Sequence, residues 1–239
     1  MKIFVLSKNR VPANVNFCIA YHGFKEMGFE VKLFETRGEL LGAFKQDIVV
    51  GYVGTCRFQM ERYHVPIEEI NYPFGSEKYL GRKIWRSSLN KINSNPDLWP
   101  VFIKPLKDKD FTGVVVKSPK DLIGCGDEFD KEIYCSEVVD FLAEWRVFVR
   151  YGKILNIRRY KGSYNCVPDY NLIEQAISEI TLPNGCAVDF GLTKDGRTLL
   201  IEANDGYALG NYGLFYIDYA KLISARWSQI MGFKDECNF

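Results

Sequence analysis

The chain has only two histidines, no Cys-x-x-Cys pair and no G-x-G-x-x-G after its first apolar run, and each absence removes a class of chemistry. A histidine-centred triad would have to use His22, which falls in a helical pattern, or His64, beside a Val-Pro turn; both read more simply as structural residues. The seven cysteines (Cys18, Cys56, Cys125, Cys135, Cys166, Cys186, Cys237) are odd in number and scattered, which argues against a disulfide framework and against a zinc site. Most of them are expected to be buried thiols. No apolar run reaches the roughly 18 residues a membrane helix needs, and the opening MKIFVLSKNRVP ends in Lys and Arg without a small-residue cleavage site. A cytoplasmic location and no membrane partner are therefore expected. Charge is balanced, with 31 Lys plus Arg against 30 Asp plus Glu and no long like-charge run, so nothing in the charge indicates nucleic acid.

What is present is ample apolar material. At 239 residues and 47% apolar, the chain can build one large domain or two lobes around a real core. Residues 2–7 (KIFVLS) read as a buried strand, 15–27 as a helix stopped by Gly28, 29–34 as a second strand and 47–53 as a third. This β-α-β start predicts a small parallel sheet. The missing glycine fingerprint argues against this lobe as the nucleotide site. Residues 54–76, with Gly54, Pro66, Pro73 and Gly75, read as a connection, and Ser76 as the cap of a helix over 77–92. Strands are expected at 101–104, 113–117 and 132–139, then a hairpin of 146–150 and 153–158 across Tyr151-Gly152. Helices are expected over 172–180 and 216–231, and no internal repeat is found.

The most informative segment is D-F-G-L-T-K-D-G-R-T-L-L-I-E-A-N, residues 189–204. Asp195-Gly196 supplies the positive φ angles of a two-residue hairpin turn. That turn would pair Lys194 with Arg197, Leu192 with Leu199, Phe190 with Ile201 and Val188 with Ala203, making one face apolar. The other face sets Asp189 against Glu202, with Cβ atoms about 4.5–5.5 Å apart, and the two carboxylates repel unless something positive lies between them. Asn204 adds a neutral oxygen. Hard oxygen donors in this number suit Mg²⁺ completed by nucleotide phosphates and water. A surface hairpin with incidental acids is the alternative.

Three more segments precede this hairpin in order: V-F-I-K-P at 101–105, S-E-V-V-D-F-L-A-E-W-R at 136–146, and E-K-Y-L-G-R-K-I-W at 77–85. Together with the D…E-x-N spacing they resemble the ATP-grasp superfamily of ATP-dependent carboxylate–amine or thiol ligases, over about half the chain, and they are also similar to small ATP-grasp proteins of phages and bacterial conflict loci. The resemblance implies an α/β fold (α+β lobes), with an N-terminal β-α-β lobe at 1–75 and an ATP-grasp domain at 76–239. That domain divides into a lid at 76–138 and a metal-binding subdomain at 139–239, the nucleotide held between two antiparallel-sheet subdomains. It implies that Lys83 and Lys104 hold phosphate oxygens, that Glu137 with Val138 and Val139 meets adenine, and that Glu144 takes the ribose hydroxyls. Asp189, Glu202 and Asn204 become the metal ligands, with ATP and Mg²⁺ as cofactors. For Glu144 an ion pair with Arg159 across the Tyr151-Gly152 hairpin is the alternative; for Lys83 and Lys104 it is an ordinary surface or strand lysine.

The chain departs from the family pattern in two places. The glycine-rich phosphate loop is reduced to Thr112 and Gly113, so closure would fall to side chains such as Lys107 or Lys109. Some ligases carry an arginine two residues before the first metal acid; Ala187 stands there, and Arg159 and Lys161 of R-R-Y-K become the candidates for stabilising the transition state. A solvated basic edge is the alternative for both. The reaction implied is attack of a carboxylate on ATP and opening of the acylphosphate by an amine. The substrates can be small-molecule, peptide or macromolecular, with Tyr207, Asn211 and Tyr212 of the loop 205–213 near the acceptor. Rival expectations are a kinase-like phosphotransferase, a non-catalytic ATP-binding module and, last, a nucleic-acid ligase.

Overall fold

The computed structural model describes residues 1–106, 111–126 and 129–239. Lys107 and Lys109 lie outside the described residues. Two compact units are formed, residues 1–79 with 142–239, and residues 80–141.

The first unit opens with β1 (Lys2–Lys8), which pairs in parallel with β3 (Glu30–Phe34) and β4 (Ile48–Val50) and antiparallel with the short β2 (Val11–Pro12). Between them α1 (Val15–Glu26) begins where the Asn14 side chain accepts the amide of Phe17 at 3.0 Å. Ile3, Val5, Phe24, Phe34, Ile48 and Val49 are buried in one core, as expected of a parallel sheet covered by helices. The reading of 54–76 as a connection needs correction, because Val53–Arg62 form a helix, α2. Its buried residues Thr55, Cys56, Gln59 and Met60 recur at helical spacing. Only two of them are apolar, and no side chain caps the start, so the local signal is weak and burial against the core decides.

The helix expected over 77–92 is also corrected. It stops after one turn, α3 (Glu77–Leu80), where Gly81 takes φ +58°, and Ile84–Ser88 form a strand, β5. Ser88 then caps the short α4 (Leu89–Asn93). With β6 (Val101–Pro105), β7 (Val114–Val116) and β8 (Glu132–Ser136), β5 builds the sheet of the second unit in the order β5-β8-β6-β7, antiparallel throughout. Leu89, Ile92, Val101, Ile103, Val116, Ile133 and Cys135 fill its core. The strand expected to reach residue 139 ends at Ser136.

The rest of the first unit is a sheet in the order β10-β9-β11-β12, from β9 (Phe141–Arg150), β10 (Lys153–Gly162), β11 (Gly185–Thr193) and β12 (Thr198–Asp205). Helix α5 (Tyr170–Glu179) is capped by Asp169, and α6 (Tyr216–Met231) buries Leu222, Ile223 and Trp227 in the same core as β1 and α1. Helices α1 and α6 cross so closely that a Cβ on Gly23 would lie 2.3 Å from the carbonyl oxygen of Tyr216. Among the described residues no helix is long and apolar enough to cross a membrane.

Candidate active site

Two hairpins position the acids, and both differ from their simplest registers by β-bulges. In β11–β12 the turn contains three residues, 194–196, closed by the Thr193 amide donating to the Arg197 carbonyl at 2.9 Å, with Gly196 at φ +83°. This is the type I turn with a glycine bulge rather than the expected two-residue turn, and it shifts the upper register by one. Phe190 faces Leu200 instead of Ile201, and Leu192 faces Thr198 instead of Leu199. Ile201 is then the extra residue of a second bulge, which cancels the shift. Asp189 therefore faces Glu202, and Val188 faces Ala203, as the sequence predicts.

The β9–β10 hairpin turns at Tyr151 and Gly152, both with positive φ, and carries bulges at Leu155 and Tyr160. The bulge at Leu155 shifts the register by one residue and sets Arg159 opposite Trp145, and the bulge at Tyr160 shifts it by one more and brings Lys161 opposite Glu144, so the expected Glu144–Arg159 pairing does not form. Lys161 contacts one Glu144 oxygen at 2.5 Å, and the Tyr160 hydroxyl donates to the other at 2.8 Å. Arg159 is exposed.

Asp189 is 2% exposed and sits against Arg146 of β9, which is 7% exposed. The Arg146 fork donates Nε to Oδ1 at 2.8 Å and Nη2 to Oδ2 at 2.7 Å. Asn204 Nδ2 donates to Asp189 Oδ2 at 3.1 Å. The guanidinium carbon is 4.8 Å from the centroid of Tyr212 and 5.7 Å from that of Tyr160, whose rings stack at 5.1 Å. Burial pushes the Asp189 carboxyl up and the charges of Glu202 and Glu144 push the same way, while Arg146 opposes them. Burial works against the charged form of Arg146 as well, but the hydrogen bonds and charge of Asp189 outweigh it and hold the guanidinium pKa above its ordinary value. The Tyr160 phenol is raised by burial and by the neighbouring Asp189 and Glu144.

Glu144, Arg146, Tyr160, Asp189, Asn204 and Tyr212 thus form one connected polar network. Sequence reasoning missed Arg146 and Tyr160. The signal for Arg146 was its position two residues from Glu144, which puts both on one face of a strand. In the loop after β12, Tyr207 is buried and its hydroxyl accepts from Arg57 at 2.9 Å, while Asn211 is buried and ties the loop by bonds to Leu214 and Gly213. Tyr212 alone of the three expected acceptor residues is largely exposed, at 49%, with φ +44°.

In the second unit Lys104 lies on β6 and is 8% exposed, its ammonium 5.7 Å from the Tyr134 ring. Lys83 is exposed, just ahead of β5 rather than on a helix, with its ammonium 5.6 Å from the Trp85 ring. Its amide donates to Glu137 Oε2 at 2.8 Å, and the Glu137 amide donates back to the Lys83 carbonyl at 3.1 Å. Val138 and Val139 are half-buried in the segment after β8. Thr112 and Gly113 are exposed beside β7.

A family model described as "ATP-grasp domain, R2K clade family 2" matches residues 79–222. No curated protein matches the chain in sequence. Solved structures similar to it include an L-amino acid ligase from Bacillus licheniformis, at 11% identity and a TM-score of 0.59, covering 100% of this chain and 77% of that one. A D-alanine–D-alanine ligase from Bacillus anthracis has 13% identity and a TM-score of 0.56, covering 97% and 99%. An N5-carboxyaminoimidazole synthetase from Staphylococcus aureus has 11% identity and a TM-score of 0.58, covering 98% and 77%. These likenesses show the fold.

Proposed function

Since the chain belongs to the ATP-grasp domain superfamily, R2K clade family 2, we propose that it is an ATP-dependent ligase that activates a carboxylate as an acylphosphate and joins it to an amine. The observation that carries this reading is the gathering of Asp189, Glu202 and Asn204, restored to one face of β11–β12 by the bulge at Ile201.

The donor set fits a hard dication. Two carboxylates and one amide supply oxygen ligands of the kind Mg²⁺ takes, and facing acids gain from a positive charge between them. Asp189, Glu202 and Asn204 would hold the ion, which when bound neutralises β- and γ-phosphate oxygens. Lys83 and Lys104 bring two further positive charges to the phosphates. Glu137, Val138 and Val139 meet the adenine, the valines through their half-buried side chains. Glu144 accepts the ribose hydroxyls. Its two oxygens offer about four lone-pair positions, and Tyr160 and Lys161 occupy two of them.

In the reaction, a donor carboxylate oxygen forms a bond to the γ-phosphorus as the bond to the β–γ bridging oxygen breaks, giving ADP and an acylphosphate. The amine nitrogen then attacks the acyl carbon, phosphate leaves with the C–O electron pair, and the amine proton passes to solvent. Of the two basic candidates for meeting the charge on the transferred group, Lys161 shares the face of Glu144 and Arg146, whereas Arg159, paired with Trp145, lies on the opposite face of the sheet and does not fit that role. No residue becomes covalently attached to substrate. The lid is assigned to 76–138 and the metal-binding subdomain to 139–239. The substrates are small-molecule or peptide carboxylates and amines.

The test is incubation with ATP, Mg²⁺ and pooled amino acids or peptides while ADP and products are followed. ADP and phosphate forming together only when both a carboxylate and an amine are present supports the ligase. A phosphorylated hydroxyl product without any amine requirement contradicts it.

A further inference from the structure

We propose that Arg158 is a substrate-binding residue whose guanidinium receives a carboxylate of the substrate. This rests on the ligase reading above and adds to it the group that holds the substrate's negative charge. The register of the β9–β10 hairpin puts Arg158 in place. Continued without a bulge from the pairing of Lys153 with Arg150, the hairpin would set Arg158 opposite Trp145, on the face of the sheet away from Glu144 and Arg146. The bulge at Leu155 moves it by one residue, and Arg158 faces Arg146 instead. It therefore shares the face on which Arg146 meets Asp189 and Lys161 meets Glu144.

Two arginines directly opposite on paired strands have Cβ atoms about 4.5–5.5 Å apart and repel, so each gains from an anion beside it. Arg146 has one, the Asp189 carboxylate, at 2.8 and 2.7 Å. Arg158 is partly buried, and its Nε is shut off from solvent with no hydrogen-bond partner among the described residues. A buried donor of a charged group left unpaired is costly, and folded proteins keep few of them. Glu144, diagonal to Arg158 across the hairpin, is already held by the Tyr160 hydroxyl at 2.8 Å and the Lys161 ammonium at 2.5 Å.

An oxyanion supplies what Arg158 lacks. The Nε edge of a guanidinium matches the two oxygens of a planar carboxylate, and Arg146 adopts that geometry with Asp189 one strand away. The reaction involves two oxyanions. Lys161 meets the transferred phosphoryl group, which leaves the substrate carboxylate, an anion that must approach a negative triphosphate. A fixed cation on the same face offsets that repulsion and orients the carboxylate oxygens. The unpaired Nε is then a cost in stability exchanged for binding.

Binding is read on the full chain from the Arg158 Nε–H signal in proton–nitrogen NMR, assigned by its disappearance in Arg158→Lys. Acetate and N-acetylglycine are expected to shift it saturably, also with Mg²⁺ and a non-hydrolysable ATP analogue present, while ethylammonium leaves it in place. Carboxylate shifts abolished by the analogue, or a saturable shift with inorganic phosphate and neither carboxylate, assign Arg158 to the phosphates and overturn the proposal. So does the absence of any saturable shift. Arg158→Met keeps the apolar stem and removes the charge, so it is expected to unfold at the urea concentration of the wild type or higher; a lower midpoint makes Arg158 a structural residue and overturns the proposal. Where the pooled-substrate assay gives turnover, Arg158→Gln should raise the KM for the carboxylate about tenfold or more with the KM for ATP unchanged, and Arg158→Lys should restore part of the loss. Arg159→Gln, the same loss of charge on the opposite face, should change neither. No ADP from any pool, with carboxylates still shifting the Arg158 signal, overturns the ligase reading and leaves the carboxylate site standing.

Discussion

Replacing Arg146 by Met leaves Asp189 buried with its fork removed, and the structure sets the size of the penalty. The side chains are 9% and 3% exposed, and two charge-assisted hydrogen bonds disappear together with the contacts to Tyr160 and Tyr212. Breaking one partner of such a buried pair costs about 3–5 kcal/mol, a large part of the 5–15 kcal/mol that holds a typical protein folded. The loss depends on pH with a definite sign. Without the guanidinium, burial raises the Asp189 carboxyl further above its ordinary value of 3.8. A folded-state pKa above the unfolded one means the variant carries no penalty below the unfolded value, is penalised increasingly as pH rises from the unfolded toward the folded value, and carries the full penalty above it. Urea unfolding followed by circular dichroism at pH 7 and pH 4.5 should therefore show a large deficit at pH 7 and a smaller one at pH 4.5. The double variant Arg146→Met/Asp189→Leu should recover most of the loss, since no buried charge is then unpaired. A deficit under about 1 kcal/mol at pH 7, or one identical at both pH values, would refute the account of this pair.

Three further outcomes follow from other parts of the fold. Glu179 is pulled down to about 2, first by the hydrogen bond from Lys78 and then by those from Tyr79 and Gln175. The stabilisation is present above the ordinary pKa of 4.5 and lost as pH falls toward about 2, so the difference in urea midpoint between wild type and Glu179→Gln should close over that window; a difference that persists at pH 2 contradicts it. Gly162 has φ +87° and a Cβ there would lie 2.1 Å from the Leu142 carbonyl, so Gly162→Ala should lower stability by more than about 1 kcal/mol in the same unfolding assay. Burial pushes the Cys56 and Cys186 thiols up to about 12, so at neutral pH a chromogenic disulfide reagent should label the partly exposed Cys18 and Cys166 quickly and these two only after unfolding, as peptide mapping can check.

Much of the fold was legible because its elements carry strong local patterns. The β1-α1-β3 start and the terminal helix α6 follow from apolar periodicity, whereas Asp189 meets Glu202 as expected only because the bulge at Ile201 cancels the one-residue shift introduced by the longer turn. Helix α2 was hidden because half of its buried face is Thr55 and Gln59, polar residues that only tertiary contact makes internal. Strand β5 was hidden for the opposite reason: Glu77 to Ile84 spaces its large residues as a helix would, and only Gly81 at positive φ and pairing with β8 redirect the chain. The network around Arg146 was illegible because β-bulges are invisible to a period-two pattern. The bulges at Leu155 and Tyr160 moved Lys161 onto Glu144, and an alternation rule had put Arg159 there.

The claim on which the rest depends is that Asp189, Glu202 and Asn204 receive the metal of a bound nucleotide. A crystal structure with Mn²⁺ and a non-hydrolysable ATP analogue tests it through the anomalous signal of the ion. The account predicts a peak ligated by Asp189, Glu202 and Asn204 and by phosphate oxygens, with Arg146 still on Asp189. A nucleotide bound with its ion elsewhere, or with these three side chains turned away from the phosphates, contradicts it.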